Sequence, residues 1–281
     1  MISPIKHLNV VQIIEEIPTI GSAPLYVLCD DGYDYYIKTT KPPLPYVELI
    51  NELMCGYMLK CWGLSVPEFA IARVDTDVVD AYVAEKGKLS DRYTESTIKV
   101  PFFASRKIGL SNNLEEYNSK QNFSKKHFDL FRAPLDIIKI GLFDLWVGNK
   151  DRKPENPNIL ISGNDRELEF CPIDHTAAFA HCDRYININD LFLFLENRFR
   201  ILTIPLIKSI ANFGLIDDNR ANFEQEVVDG MKLAANSLQD IFTQIPLEWG
   251  LNKKDKAKII EVLSDNERIN RIAKIYLEYI R

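Results

Sequence analysis

The stretch "GNKDRKPENPNILI" at residues 148–161 places acidic, basic and amide side chains in one loop, directly before an apolar run at 159–161. Asp151 and Asn156 are five positions apart, and Lys153 lies between them. A loop aspartate is most often a turn or capping residue. The function of this loop therefore depends on what the chain brings next to it.

A hairpin follows the loop and brings a second acid back toward it. Residues 158–162 and 168–173 are apolar runs around a turn at 163–165, and Asp174 follows the second run. Antiparallel strands bring their outer ends together, so we expect Asp151, Asn156 and Asp174 to surround one point. Such oxygen donors suit Mg²⁺. A separate aspartate can orient a hydroxyl and Lys153 can neutralise a phosphoryl group, as phosphoryl transfer requires.

The pattern elsewhere predicts an α+β protein with strands concentrated in its first third. Strands are predicted at 10–14, on both sides of the Asp31-Gly32 turn in 24–40, at 66–74, and as a further candidate at 80–86. Helices are predicted at 45–64, 133–149, 190–200, 203–213, 221–242, 253–264 and 266–280. The shift near residue 100 predicts a β-rich N-lobe over 1–105 and a mainly helical C-lobe over 106–281.

Composition argues against several classes of protein. The 281 residues carry a formal net charge of −6 and show no basic stripe, so we expect no direct nucleic-acid binding. Five cysteines without a C-x-x-C pair, and four histidines, favour neither a disulfide framework nor a zinc site. Without a signal-peptide pattern or a long apolar run, we expect a cytoplasmic protein that does not contact membranes.

Several motifs together resemble one enzyme family. "DRKPEN" resembles the catalytic loop of eukaryotic-type Ser/Thr kinases, and with "PIDHTAAF" (172–179) it resembles the HipA-like kinases of the protein-kinase and phosphatidylinositol-kinase-like superfamily more closely. "GSAP", "YYIK", "LINEL" and "FFASR" are similar to segments of that family. The resemblance covers about residues 18–180. It implies a two-lobed protein-kinase-like fold.

The resemblance assigns roles to the loop and to the end of the hairpin. Asp151 matches the catalytic-loop aspartate, and Lys153 is expected beside it as a phosphate-neutralising group. Asn156 matches the metal-binding asparagine by its spacing, with Asn158 as the alternative. Asp174 matches the metal-binding aspartate.

The resemblance also implies a nucleotide site in the first third of the chain. Lys38 matches the phosphate-pairing lysine and Glu52 the acid that holds it, although Glu48 shares that helix face. Gly21 and Ser22 match the loop that covers the phosphates, where this chain has one glycine and protein kinases have three. We further hypothesise that phosphorylation of Ser22 would repel ATP.

Two residues after Asp174 depart from the kinase pattern, and one residue of the loop needs a partner. His175 and Thr176 stand where most kinases have Phe and Gly, so the behaviour of an activation segment cannot be transferred. His175 is equally consistent with a packed histidine and a site residue. Arg152 is expected to pair with an acid, for which Asp144 is one candidate.

The resulting hypothesis is an ATP- and Mg²⁺-dependent transferase that phosphorylates Ser or Thr in a protein substrate. The resemblance also implies a toxin-module kinase with a neutralising antitoxin partner. One alternative is a small-molecule or lipid kinase on the same scaffold. Another is a non-catalytic module that binds a nucleotide or a protein partner.

Overall fold

A computed structural model describes residues 2–19, 23–40, 44–115, 123–164, 167–188, 201–216 and 220–277. The strands are β1 (Lys6–Glu16), β2 (Leu25–Cys29), β3 (Asp34–Lys38), β4 (Phe69–Arg73), β5 (Phe102–Arg106), β6 (Ser111–Asn113), β7 (Ile159–Asn164) and β8 (Glu167–Pro172). The α-helices are α1 (Val47–Cys61), α2 (Thr76–Lys86), α3 (Glu95–Ile98), α4 (Lys125–Phe128), α5 (Asp136–Val147), α6 (Pro205–Asn212), α7 (Arg220–Asn236), α8 (Leu238–Gln244), α9 (Lys253–Leu263) and α10 (Asn266–Ile275). The mixture agrees with the predicted α+β class.

The first five strands close into a barrel in the order β1-β2-β3-β5-β4. β1 pairs antiparallel with β2 and parallel with β4, which closes the sheet. Leu8, Val10 and Ile13 of β1 point into the barrel, and a bulge between Val10 and Gln12 explains the odd spacing. The barrel interior forms its own hydrophobic cluster.

The predicted hairpin around Asp31-Gly32 is confirmed by β2 and β3, and Gly32 has a positive φ of 81°. The candidate strand at 80–86 is wrong, because these residues form the end of helix α2. The partly buried residues Val78, Val79 and Tyr82 pack on the barrel at helical spacing.

Helix α1 passes through the larger hydrophobic core, and its residues from Leu49 to Leu59 are all buried. Gly56 allows the helix to approach β4, since a Cβ there would lie 2.8 Å from the Phe69 ring. Two polar side chains, Asn51 and Glu52, are buried in the middle of this helix. Buried polar groups need partners.

Helix α5 delivers the chain into the loop at 148–161. Gly148 ends the helix in the left-handed conformation, with a φ of 64°. Arg268 of α10 donates hydrogen bonds to the carbonyls of Leu145 and Trp146 at this helix end. β7 and β8 then form the predicted hairpin, to which β6 adds a third strand.

The C-terminal part is helical, with two departures from the prediction. The helix expected at 221–242 divides into α7 and α8 at Ser237, whose hydroxyl donates to the Leu233 carbonyl. α10 ends at Ile275, and the helix predicted at 190–200 lies outside the described residues. Within the described ranges, no helix is both long and apolar enough to cross a membrane.

Candidate active site

Lys38 lies at the centre of a buried charge cluster. Tyr35 and Ile37 of β3 point into the barrel, so strand alternation places Lys38 on the opposite face. Its Nζ lies 2.6 Å from Glu52 Oε1 and 3.1 Å from Asp174 Oδ1. Residues from a strand, a helix and the end of a hairpin therefore meet at one ammonium group.

The electrostatics keep Lys38 and Glu52 ionised. Burial alone would lower the pKa of Lys38, but the carboxylates of Glu52 and Asp174 raise it above its ordinary value. Burial would raise the pKa of Glu52, but Lys38 and His175 hold it well below its ordinary value. Glu52 thus makes the contact that the sequence implied, whereas Glu48 is half-buried beside a different cavity.

The residues after Asp174 are held by the same cluster. The His175 backbone N–H donates to Glu52 Oε2 at 3.0 Å, and the Thr176 hydroxyl donates to Asp174 Oδ1 at 2.8 Å. The His175 ring is buried and meets Phe143 edge to face, so it is a packed residue that also lines the site. Asp174 adopts a positive φ of 57°. Backbone strain of this kind often occurs at functional sites.

Asp151 is held by amide groups. Its Oδ2 accepts a hydrogen bond from Asn156 Nδ2 at 2.8 Å and a longer one from Asn158 Nδ2 at 3.4 Å. Its backbone N–H donates to Asn149 Oδ1 at 3.2 Å, and Asn149 in turn donates to Asp144. Asp151 is only partly buried, so its carboxylate is oriented without being sealed from solvent.

Arg152 connects the loop to the residue before Asp174. Its Nε lies 2.7 Å from Asp144 Oδ2, which confirms the predicted pair. Its guanidinium also donates to the carbonyls of Pro157 at 2.9 Å and Ile173 at 3.2 Å. Burial raises the pKa of Asp144, and Arg152 offsets part of that rise. The bond to Ile173 connects the loop that carries Asp151 to the residue before Asp174.

A cavity of about 610 Å³ opens beside the charge cluster. Lys38, Glu52, Asp174 and Asn158 line its polar part. The largely apolar remainder of the wall includes Ile17, Tyr36, Val66, Phe69, Phe103 and Leu160. The cavity can therefore hold a molecule with an anionic end and a flat apolar end.

Not all predicted residues lie in this cavity. Asn156 lines a smaller space of about 130 Å³, which Asn158 also borders. The backbone of Lys153 pairs with that of Asn156 in a turn, and Lys153 does not line the larger cavity. Gly21 and Ser22 lie outside the described residues, although Thr19 and Pro24 on either side line the cavity. The roles of these residues stay predictions.

The oxygen donors near Asp174 fit a hard divalent cation. The described residues contain no group of three or more His, Cys, Asp or Glu side chains arranged for a metal. The carboxylate of Asp174 lies in the cavity with the amide of Asn158, and Asn156 lies next to Asn158. A set of few protein oxygens is typical of Mg²⁺, which keeps several waters and phosphate oxygens as ligands.

Sequence reasoning assigned no role to Asn51, which precedes Glu52 in the "LINEL" segment. Its side chain is fully buried, donates to the carbonyls of Thr176 and Ala178, and accepts from the Tyr185 hydroxyl. The available signal was an amide inside an apolar helix, where an unpaired polar group is costly.

Comparisons with known proteins show what this chain is similar to. No curated protein sequence matches the chain. The crystal structure of the Helicobacter pylori proinflammatory kinase CtkA is similar, with a TM-score of 0.50 and 14% identity over 99% of this chain and 98% of that chain. This likeness shows a kinase-like fold.

Two structures of the Golgi casein kinase, one with Mn/ADP bound, have TM-scores of 0.46 and 0.42. Their identities are 13% and 14%, and the matches cover 99% and 96% of this chain and 75% and 74% of those chains. The model of the HipA-like kinase family matches residues 10–203, which is more than half of the chain. The chain therefore belongs to the HipA-like kinase family.

Proposed function

We propose that this kinase transfers the γ-phosphoryl group of ATP to a Ser or Thr hydroxyl of a protein, with Mg²⁺ as its metal. The observation that carries the proposal is the position of Lys38. Its ammonium group contacts Glu52 and Asp174 at the polar end of a cavity with a largely apolar wall. The cavity offers a cation and a metal-binding carboxylate to phosphates, and apolar surface to a base.

Lys38 and Glu52 would bind and orient the nucleotide. A raised pKa keeps Lys38 charged across the neutral range, and Glu52 holds its long side chain in one position. Tyr36, one of the residues in the cavity wall, gives an aromatic surface for the base. Gly21 and Ser22 complete this part of the proposal as the loop over the phosphates.

Asp174 and Asn156, with Asn158 as the alternative, would hold Mg²⁺, which when bound neutralises charge on the phosphate oxygens. In the protein alone, Asp174 Oδ1 faces Lys38 and Thr176. These contacts fix the carboxylate beside the phosphate-binding lysine.

Asp151 would act on the acceptor. Its partly exposed carboxylate, oriented by Asn156, can accept the proton of an incoming hydroxyl. Lys153 would stabilise charge on the transferring group. A protein substrate, a two-lobed arrangement with the site between lobes and a neutralising antitoxin partner rest on the family resemblance, and cytoplasmic action rests on the sequence pattern.

The test uses γ-labelled ATP with Mg²⁺ and peptide libraries whose only hydroxyl residue is Ser, Thr or Tyr, beside a mixture of small metabolites and lipids. We expect label in the Ser and Thr libraries and its loss in Asp151→Ala. Label confined to metabolites or lipids would support the small-molecule alternative. Nucleotide binding without transfer or hydrolysis would support the non-catalytic alternative.

A further inference from the structure

The segment 174–181 follows the proposed metal-binding aspartate and has an unusual backbone. Asp174, Phe179, Ala180 and His181 all have positive φ angles between 53° and 61°. Residues other than glycine rarely adopt this backbone conformation, so it persists only where neighbouring contacts enforce it. The contacts that enforce it here should also fix Asp174.

One side of the segment is held by helix α1. Asn51 Nδ2 donates to the carbonyl of Thr176 at 2.9 Å and to that of Ala178 at 3.0 Å. Tyr185 donates its hydroxyl to Asn51 Oδ1 at 2.6 Å. The amide thus uses both donors on the segment, and the bond from Tyr185 fixes its orientation.

The other side is held by the catalytic loop. Ala180 donates its backbone N–H to the carbonyl of Gly148 at 2.9 Å, and Lys150 donates to the carbonyl of Ala177 at 3.3 Å. The segment therefore lies between α1 and the loop that carries Asp151. A shift of α1 relative to this loop would therefore change the position of Asp174.

We propose that Asn51 is a positioning residue for phosphoryl transfer, which fixes the backbone of Thr176 and Ala178 and thereby holds Asp174 in place. The inference rests on the proposed function. The connection is short, because the hydroxyl of Thr176 donates to Asp174 Oδ1 while its carbonyl accepts from Asn51. The adjacent helix residue Glu52 accepts a hydrogen bond from the backbone N–H of His175 and another from the ammonium group of Lys38. Asn51 and Glu52 therefore hold the two residues that contact Asp174 Oδ1, which are Thr176 and Lys38.

Asn51→Asp is the most informative change. It preserves size but replaces the amide donor by an oxygen that faces two carbonyls. We expect the rate constant for Mg-ATP turnover to fall about 10- to 100-fold at pH 8, the usual effect of losing an outer-shell partner. The KM for ATP should change little, since Lys38 and Glu52 remain.

The pH profile separates positioning from general damage. Burial raises the pKa of an aspartate, and its protonated form can donate one hydrogen bond to the segment. The activity of Asn51→Asp relative to wild type should therefore rise as pH falls from 8 to 6. Asn51→Ser keeps a single hydroxyl donor on a shorter side chain, which cannot replace both amide donors, and it carries no titratable group, so it should lose activity without this recovery.

Tyr57→Phe is the matched control. Tyr57 is also buried on α1, and its hydroxyl also donates to a distant carbonyl, that of Ser3 at 2.9 Å. In the described part of the chain, its hydroxyl bonds to Ser3 and not to the segment 174–181. This variant should lose a comparable buried hydrogen bond while keeping wild-type turnover.

Hydrogen exchange of amides at 174–181, measured by mass spectrometry without nucleotide, gives a readout independent of activity. We expect faster exchange in both Asn51 variants and wild-type exchange in Tyr57→Phe. Unchanged exchange, turnover losses no larger than in Tyr57→Phe, or Asn51 variants that fail to fold while Tyr57→Phe folds, would each assign Asn51 a structural role only. If wild type shows no transfer or hydrolysis, the proposed function fails and the exchange data alone decide the positioning claim.

Discussion

Lys38 and Asp151 are held by different kinds of contact. Lys38 is 14% exposed and is fixed by two carboxylates, whereas Asp151, which is also partly exposed, is fixed by neutral amides. Removing a charge from the first region leaves a buried charge without its full partner. Removing Asp151 leaves only amides that water can reach. The Lys38 cluster should therefore matter for both folding and binding, and Asp151 mainly for chemistry.

The largest effect is expected from Asp151→Ala. Phosphoryl transfer should fall about 10²–10⁴-fold, the usual contribution of a positioned general base. Stability should stay close to wild type, because the side chain is partly exposed and forms no ion pair with the other described residues. Single-turnover transfer from labelled ATP, beside a urea unfolding curve, makes the measurement. Wild-type transfer in this variant would contradict the assigned role.

Glu52→Gln tests the other side of the comparison. Breaking a buried ion pair costs about 3–5 kcal/mol, and we expect the low end because Asp174 still faces Lys38. Glu48→Gln, one turn earlier on α1 and half-buried, should change the unfolding free energy by less than about 0.5 kcal/mol. Urea unfolding of both variants gives the comparison. Equal losses of unfolding free energy in the two variants would show that burial of the Lys38 cluster does not determine the loss.

Asn156 and Asn158 are the two candidates for the second metal ligand. Asn156→Ala should lower transfer more than Asn158→Ala if the five-residue spacing from Asp151 identifies the metal ligand. Asn158 has a positive φ of 46° and shares the larger cavity with Asp174, so it is a real alternative. Transfer measured over a range of Mg²⁺ concentrations separates them. A raised Mg²⁺ requirement in Asn158→Ala alone would transfer the role to Asn158.

The smallest effect concerns pH. The pKa of Glu52 is lowered by folding, so its contribution to stability is present above about pH 4.3, the ordinary pKa of Glu, and is lost as pH falls toward the folded value. The pKa of Lys38 is raised, so its contribution is present below about pH 10.4 and is lost above it. The stability difference between wild type and Glu52→Gln should be constant from about pH 5 to 9 and shrink in acid. A steady change across the neutral range would contradict this electrostatic account.

Much of the site could be predicted because its signals are local. One short stretch of sequence contains Asp151, Asn156 and the hairpin that follows them. The family match confirms the resemblance to HipA-like kinases. The pair between Lys38 and Glu52 followed from that resemblance rather than from the pattern. The fold class followed from the separation of strands and helices along the chain.

The missed features depend on long-range contacts. The parallel pairing of β1 with β4 closes the barrel, and no local pattern specifies it. The candidate strand at 80–86 lies in helix α2, because Val78, Val79 and Tyr82 pack on the barrel at helical spacing, and this contact is not specified by the local sequence. Asn51 was missed because its partners at 176, 178 and 185 are more than 120 residues away.

The central claim is that Lys38 binds nucleotide while Asp151 acts on the acceptor. Calorimetric titration of Mg-ATP into Lys38→Met and Asp151→Ala tests it most directly. Lys38→Met should lose at least about tenfold in affinity, the cost of a hydrogen bond to a charged group. Asp151→Ala should bind Mg-ATP within a few-fold of wild type. Loss of binding in Asp151→Ala together with wild-type binding in Lys38→Met would contradict the account.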